Sequence, residues 1–421
     1  MEHRPTQDDR RLIGKETSEV SSNWDAFYGA SGLRPVVNVS GTMTSLGASI
    51  AVPEAIAAAA AILPRFAVMS ELHARASRAI AEATGAEAGF ITASASAGIT
   101  IAVAAAMTGT DLSRVEQLPD TEGMKNRVIL QAGHSCHYGA PVTQGIRLSG
   151  ARVDLVGTAT LVNEHNIAGA ITDMTAAALF VVSHHVVDYG QVPLRRFAEI
   201  CHERGVPVIV DAASEYDLRG FLAAGADLVI YSAHKFLGGP TAGIVAGKRD
   251  LVRACYMQNA GIGRGMKVGK ESIAGAMAAL KAWGQRDAAG IRARERAALE
   301  LWLGAAAGHP GVEARIVPDP TDNPLDRLEL QIDAATAGAS ALAIALDLAA
   351  EDPAVIVRDH RADHGILQLD PCNLHPGQAE LVAARLSQTL ARAASRQLPD
   401  ADADAWRRRS ETGFANWEKS E

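Results

Sequence analysis

Short apolar runs, each closing on polar or small residues, recur along the chain and alternate with stretches whose apolar residues fall at helical spacing. Val36–Gly47 reads as a strand running into a Gly/Ser/Thr-rich loop; Pro53 then starts an Ala-rich helix, and Ser70–Thr84 forms a second that closes at Gly85. Gly89–Ala93 is a short strand, followed by the small-residue turn Ser94–Gly98 and an apolar helix over Ile99–Met107. The polar residues 108–126 predict a loop. Further strands follow at Arg127–Gln131, Val153–Val156, Ala178–Ser183 and Val206–Val210, with a helix over Leu194–Arg204 closed by Gly205. Repeated strand–helix units of this length predict an α/β fold with a parallel sheet, covered on both faces through right-handed crossovers. Ala242–Ala246 predicts one more strand, and a long helix begins near Glu271.

From about Ala288 the composition turns Ala/Arg/Glu-rich at helical spacing, which marks a domain boundary. A smaller α+β domain follows, with strands at Val312–Val317, Arg327–Ile332, Ala354–Arg358 and His364–Leu369. The expected organisation is an N-terminal arm over 1–35, a large domain over 36–287, a small domain over 288–396 and a loose charged tail over 397–421. No internal repeat is visible.

Composition narrows the class. A chain of 421 residues with 48% apolar and 21% charged residues has the make-up of a two-domain globular protein. The formal net charge of −8 and the lack of a basic block argue against a nucleic-acid partner or an anionic membrane surface. Cys136, Cys201, Cys255 and Cys372 are widely spaced, with no CxxC pair, which suits reduced thiols in the cytoplasm. The first twenty residues lack an apolar segment of the signal-peptide kind. The Ala-rich run at Ala55–Ile62 is too short to span a bilayer.

Two strand ends carry the chemistry. The run Val206–Val210 delivers Asp211, Ala212 and Ala213; the run Leu228–Tyr231 delivers Ser232, Ala233, His234 and Lys235 into the turn Gly238-Gly239-Pro240. Polar residues directly after buried parallel strands sit at the carboxyl edge of the sheet, where open α/β folds bind ligands. A lysine for a Schiff base and an aspartate for a pyridinium nitrogen are what pyridoxal 5'-phosphate (PLP) requires. The turn Ser94–Gly98 offers a phosphate its small residues, its hydroxyls and a helix N-terminus. His134, His137 and Tyr138, after Arg127–Gln131, suit stacking and hydrogen bonding beside a ring. A metal site is not expected there, because the two histidines lack a third ligand. The basic loop Gly261–Lys270, with Arg264, Lys267 and Lys270, is a further candidate to meet phosphate, including that of a second subunit. Arg358 and Arg361 are candidates to clamp a carboxylate through a guanidinium fork.

Together these stretches resemble the fold-type I PLP-dependent enzymes. Within them the chain is similar to the selenocysteine synthase-like (L-seryl-tRNA selenium transferase-like) group, and nearest to D-glucosaminate-6-phosphate ammonia-lyase-like proteins. The resemblance rests on Asn38–Gly47, Thr84–Ala88, Pro207–Ala213, Ser232–Gly243, Arg264–Lys270 and Arg358–Asp370. It implies an aspartate aminotransferase-like fold, with a mainly parallel seven-stranded sheet in the large domain and a small α+β C-terminal domain. It also implies residue roles. Lys235 would be the Schiff-base lysine, Asp211 the partner of the pyridinium nitrogen, and Ala213 a contact on the ring face. Ser94, Ser96, Ala97, Gly98, Ser232 and His234 would surround the phosphate, with Lys267 near it. His134 or His137 would stack on the other ring face, and Arg358, ahead of Arg361, would bind the substrate carboxylate.

The implied function is a PLP-dependent ammonia-lyase. It would abstract the α-proton of a β-hydroxy or β-substituted amino acid and release ammonia and a keto acid. A racemase or an aminotransferase on the same scaffold is the alternative, with a non-catalytic PLP-fold protein as a third. A selenium transferase acting on seryl-tRNA would call for a basic N-terminal region, whereas residues 1–35 hold five Lys/Arg against six Asp/Glu. The expected partners are a small-molecule amino acid and a second copy of the chain, in a homodimer or higher homo-oligomer.

Overall fold

The computed structural model describes residues 26–419. Its twelve strands, in chain order, are β1 Val36–Val39, β2 Ala88–Thr92, β3 Arg127–Gln131, β4 Arg152–Val156, β5 Thr175–Val181, β6 Val208–Asp211, β7 Leu228–Ser232, β8 Gly243–Gly247, β9 Val312–Pro318, β10 Asp326–Ile332, β11 Ala354–Arg361 and β12 Ile366–Leu369. The described residues divide into two compact units, one of residues 48–286 and one of residues 26–47 with 287–419.

Unit 48–286 holds a seven-stranded sheet in the order β2-β8-β7-β6-β5-β3-β4. β8 runs antiparallel to both its neighbours, and the remaining pairs are parallel. The apolar runs are continuous because both faces are buried. Val208 and Val210 enter one core layer with Val229 and Tyr231; Ile209 enters the opposite layer with Leu228 and Ile230. The helix Ala95–Thr108 lies in the second layer and is buried along most of its length.

The other unit holds a five-stranded sheet, β1-β11-β12-β10-β9. Alternation gives it one apolar face: Val37, Val39, Leu328, Leu330, Val355, Val357, Leu367 and Leu369 pack with Trp302, Leu386 and Leu390 of its helices. Trp302 is fully buried and its Nε1 donates to the Ala379 carbonyl at 2.9 Å. Trp302→Ala is therefore expected to cost this unit about 3–5 kcal/mol, readable as a lowered midpoint in chemical denaturation.

Four expectations are corrected. The large domain does not begin at residue 36: β1 pairs in parallel with β11, Val36 opposite Ala354, so this strand completes the C-terminal sheet. A four-residue apolar run fits either sheet locally, and only the distant partner decides. Residues 108–126 are not all loop, because Asp111 caps a helix over Leu112–Gln117 by accepting from the Ser113 and Arg114 amides. The tail is helical over Ala403–Arg407 and Arg409–Asn416, anchored where Trp406 Nε1 donates to Asp359 at 2.8 Å. The strand expected at Val206–Val210 is Val208–Asp211, so Asp211 is its last residue. Of the arm over 1–35, residues 1–25 lie outside the described residues. Residues 26–31 are helical, and the Arg34 guanidinium donates to the Ala349 and Glu351 carbonyls at 2.7 and 2.8 Å.

Candidate active site

The parallel strands of unit 48–286 bring their carboxyl ends to one edge. Asp211 ends β6 and is paired in register with Val181 of β5 on one side and Ile230 of β7 on the other. Its carboxylate is buried and accepts from the Ala213 amide at 3.3 Å. Burial pushes its pKa up to about 6, while the nearby Lys235 charge and the Ala213 amide pull it the other way. Burial disfavours the ionised form of such an acid, and a nearby cation restores it.

β7 closes on Ser232, and the chain then turns through Ala233–Pro240. Ser232 Oγ lies 3.0 Å from His234 Nδ1, and the His234 carbonyl accepts from Ser49 Oγ at 2.8 Å. Lys235 Nζ donates to Ser214 Oγ at 2.5 Å, so the loop after β6 and the loop after β7 meet at the lysine. Gly238 takes φ +63°, in the left-handed region, and its carbonyl accepts from the Val52 amide at 2.8 Å. Gly243 opens β8 where a Cβ would fall 2.3 Å from the Ser94 carbonyl oxygen. Only glycine lets β8 pass the phosphate-type turn this closely.

That turn follows β2. Ser94 caps the helix Ala95–Thr108, its Oγ accepting from the Ala97 amide at 3.1 Å. The first turn of a helix carries amides with no intrahelical acceptor and a partial positive charge, which favours an anion there. Ser96 Oγ lies 3.2 Å from Tyr138 Oη. Tyr138 and Cys136 both have their pKa raised, chiefly by burial and further by the Asp211 carboxylate, with the Cys136 thiol at about 11. The loop after β3 therefore joins the small-residue turn to the aspartate.

The two histidines of that loop part company. His134 is buried, makes an edge contact with Phe180 at 4.4 Å between ring centroids, and accepts from the Val181 amide at Nδ1, 3.2 Å. Burial lowers its pKa to about 4. It is thus neutral, and with Nδ1 occupied as an acceptor its proton resides on Nε2. His137 is exposed, its Nδ1 accepting from the Gly139 amide at 3.3 Å. Lys267 and Arg264 are exposed, and Lys270 Nζ donates to the Arg65 carbonyl. The described contacts do not bring this basic loop to Lys235.

Arg358 lies in the other unit, on the face of β11 opposite Val355 and Val357, and is buried. Burial, with the nearby Arg327 charge, lowers its pKa to about 10, so it is a cation at neutral pH. Arg361 is exposed and forms a 3.6 Å ion pair with Glu329. Sequence reasoning missed Ser214 and gave Tyr138 only a general place beside a ring, without its Ser96 partner. The only signal for either was a hydroxyl close to a strand end already marked by Asp211 or by His134. Among the described residues, no three His, Cys, Asp or Glu side chains are grouped to hold a metal.

An amine, a buried carboxylate and a hydroxyl-lined helix N-terminus, all on one sheet edge, make a donor set that fits PLP. The comparisons agree with it. Residues 36–294 match the profile of SelA, L-seryl-tRNA selenium transferase. The chain belongs to that family. It is 37% identical to D-glucosaminate-6-phosphate ammonia lyase of Salmonella typhimurium, over 87% of this chain and 99% of the relative. It is 40% identical to a 5'-C-glycyluridine monooxygenase-decarboxylase of a Streptomyces species, over 93% and 96%. An L-seryl-tRNA(Sec) selenium transferase of Moorella thermoacetica is 29% identical over 86% and 83%. A solved structure of D-glucosaminate-6-phosphate ammonia-lyase superposes with a TM-score of 0.79, covering 87% of this chain and 99% of that one. An aspartate aminotransferase of Thermus thermophilus, 14% identical with a TM-score of 0.53 over 85% and 99%, shows the same fold. The SelA-family chain thus has the fold of the fold-type I PLP-dependent enzymes.

Proposed function

We propose that the protein is a PLP-dependent ammonia-lyase whose substrate is a 2-amino-3-hydroxy carboxylate. The observation that carries this is the meeting of Lys235, Ser214 and buried Asp211 at one sheet edge, in a chain that matches an ammonia lyase almost end to end. The substrate class has a common root in the names of the relatives: glucosaminate, a glycyl unit on C5' of uridine and seryl each place an amine beside a hydroxyl-bearing carbon. PLP, when bound, supplies an electron sink for the charge left at Cα.

The chain's own residues do the rest. Lys235 would hold the cofactor through Nζ, and its free amine would take the proton from the substrate Cα. Asp211 would keep a proton on the ring nitrogen, and Ala213 would meet the ring. Ser94, Ser96, Ala97, Gly98, Ser232 and His234 bind the phosphate, with Tyr138 added through Ser96. His134 would meet the ring as a neutral donor from Nε2 rather than as a base. Arg358 receives the substrate carboxylate, and Lys267 serves a phosphate from a second copy in a homodimer. The hydroxyl leaves Cβ as water, and water returns when the aminoenoate hydrolyses, so the net products are a 3-deoxy-2-keto acid and ammonia. Charge near zero over residues 1–35 supports a free amino acid rather than a tRNA. No helix among the described residues is long and apolar enough to cross a membrane, and we place the enzyme in the cytoplasm.

A second reading has its own support: the monooxygenase-decarboxylase is the more identical relative, over more of the chain. The test is a paired assay of D-glucosaminate-6-phosphate and 5'-C-glycyluridine with the PLP-loaded enzyme. Ammonia and keto acid in equal amounts, without oxygen uptake, support the lyase; oxygen consumption with release of carbon dioxide selects the oxygenase. His134→Gln, which keeps a neutral donor, should retain more activity than His134→Ala under the same assay. Equal losses would show that the donor is idle.

A further inference from the structure

We propose that Asp370 and Arg327 are positioning residues that fix Arg358 for the substrate carboxylate; this rests on the role given to Arg358 above. The argument begins with alternation. In β10, β12 and β11 the residues Leu328, Leu330, Leu367, Leu369, Val355 and Val357 face the apolar core. Arg327, Gln368, Asp370 and Arg358, one position removed, belong to the opposite face. Register then sets them side by side: Leu328 pairs with Leu369, which puts Arg327 level with Asp370, and Arg358 pairs with Gln368. Asp370 is two residues further along the strand than Gln368, diagonal to Arg358 and on the side nearest Arg327.

The contacts follow that layout. Arg327 Nε donates to Asp370 Oδ2 at 2.9 Å, and its Nη1 donates to Asp319 Oδ2 at 2.6 Å. Asp370 Oδ1 accepts from the Cys372 amide at 3.0 Å. Asp319 Oδ1 accepts from the Thr321 amide and hydroxyl and from Asn323 Nδ2. The three charged residues are each no more than 5% exposed, and Arg358 is 9% exposed. Asp370 also presses on the loop after β1. Gly41 there has φ +92°, and a Cβ on it would lie 3.1 Å from Asp370 Oδ2. Asn38 Nδ2 donates to the Gly41 carbonyl at 2.8 Å, and the Asp370 amide donates to the Val39 carbonyl at 2.8 Å. Asp370 therefore holds β1 through its main-chain amide and β10 through its carboxylate, at the corner beside Arg358.

Desolvating such a set is costly, and apolar replacements of the same volume are often as stable or more so. Its return is geometric. Both carboxylates are bonded to Arg327, and their field still acts on Arg358, which remains charged at neutral pH. The guanidinium is thus held among fixed charges rather than carried on a mobile arm.

Three variants of the PLP-loaded enzyme test this: Asp370→Asn, Arg327→Lys and Arg358→Met. Apparent KM and kcat are measured with D-glucosaminate-6-phosphate, and thermal midpoint and cofactor absorbance are recorded alongside. Arg358 is also mapped by mass spectrometry after phenylglyoxal treatment, a readout that needs no turnover. Asp370→Asn, which loosens Arg358 without removing it, should raise KM by up to about 10-fold and by less than Arg358→Met does, with kcat within about threefold. Arg358 should be modified several times faster and the cofactor absorbance should hold, while the midpoint falls because buried Arg327 loses one of its two carboxylate partners. Arg327→Lys keeps the charge but not the fork and should show the same pattern at smaller amplitude, which preserves the test if Asp370→Asn does not fold. Unchanged KM and unchanged phenylglyoxal reactivity overturn the proposal, as does a fall in kcat and midpoint without a KM effect. Where Arg358→Met itself leaves KM unaltered, the role of Arg358 fails; where only Arg358→Met raises KM, the positioning role alone fails.

Discussion

Lys235→Ala is expected to lose on the order of 10⁴-fold in turnover, the upper range for removing a positioned proton-transfer group, and to lose the visible absorbance of the lysine-bound cofactor as well. The size follows from two tasks on one atom. In the proposed mechanism Nζ of Lys235 would both tether PLP and take the α-proton, so no neighbour would substitute for it. Ser214 Oγ, 2.5 Å from Nζ, orients the amine but has no basicity of its own at neutral pH. Steady-state release of ammonia, measured beside an absorbance spectrum of the purified variant, reads both effects. Partial rescue by added methylamine would assign the loss to the missing base; retained turnover would remove the lysine from the mechanism.

The second large effect is at Asp211. Asp211→Asn keeps the shape of the side chain but removes the charge that, in the proposed mechanism, would hold a proton on the ring nitrogen. Turnover should fall on the order of 100- to 1,000-fold, as for other single losses of electrostatic stabilisation. The cofactor-free protein should behave in the opposite sense. Its folded-state pKa of about 6 is above the usual 3.8, so the folded protein binds the proton more tightly than the unfolded chain. Stability from this group therefore rises as pH falls through 6 and levels off below 3.8. Above that window the buried, ionised carboxylate costs on the order of 3 kcal/mol, an amount the asparagine does not incur. Thermal unfolding of the cofactor-free proteins should show wild type losing stability across the window and Asp211→Asn changing less. An equal pH response in both would disconnect Asp211 from that cost.

The central sheet is legible because most of its strands are buried on both faces and read as short apolar runs of Val, Ile, Leu and Ala. Arg127–Gln131 was found to the residue. The same pattern drew attention to Asp211 and Lys235, since a charge directly after such a run has few places to go except the sheet edge. The limits were equally physical. Val36–Val39 offers the same alternation to either sheet, and its pairing with Ala354–Val357, more than three hundred positions away, leaves no local trace. Leu112–Gln117 is six residues long and owes its helix to one cap, Asp111, which in sequence looks like any turn aspartate. The choice between His134 and His137 needed burial: three residues apart in one loop, one turns under Phe180 and the other faces solvent. Ser214 and Tyr138 act through what they touch, and a hydroxyl's partner is not written in its neighbours.

The most direct test is to incubate the full chain with PLP, reduce it with borohydride, and map the peptides by mass spectrometry. The account predicts a reduced-cofactor mass increment on the peptide carrying Lys235, absent from Lys235→Ala. An increment on another lysine, or none on the wild-type chain, would contradict it.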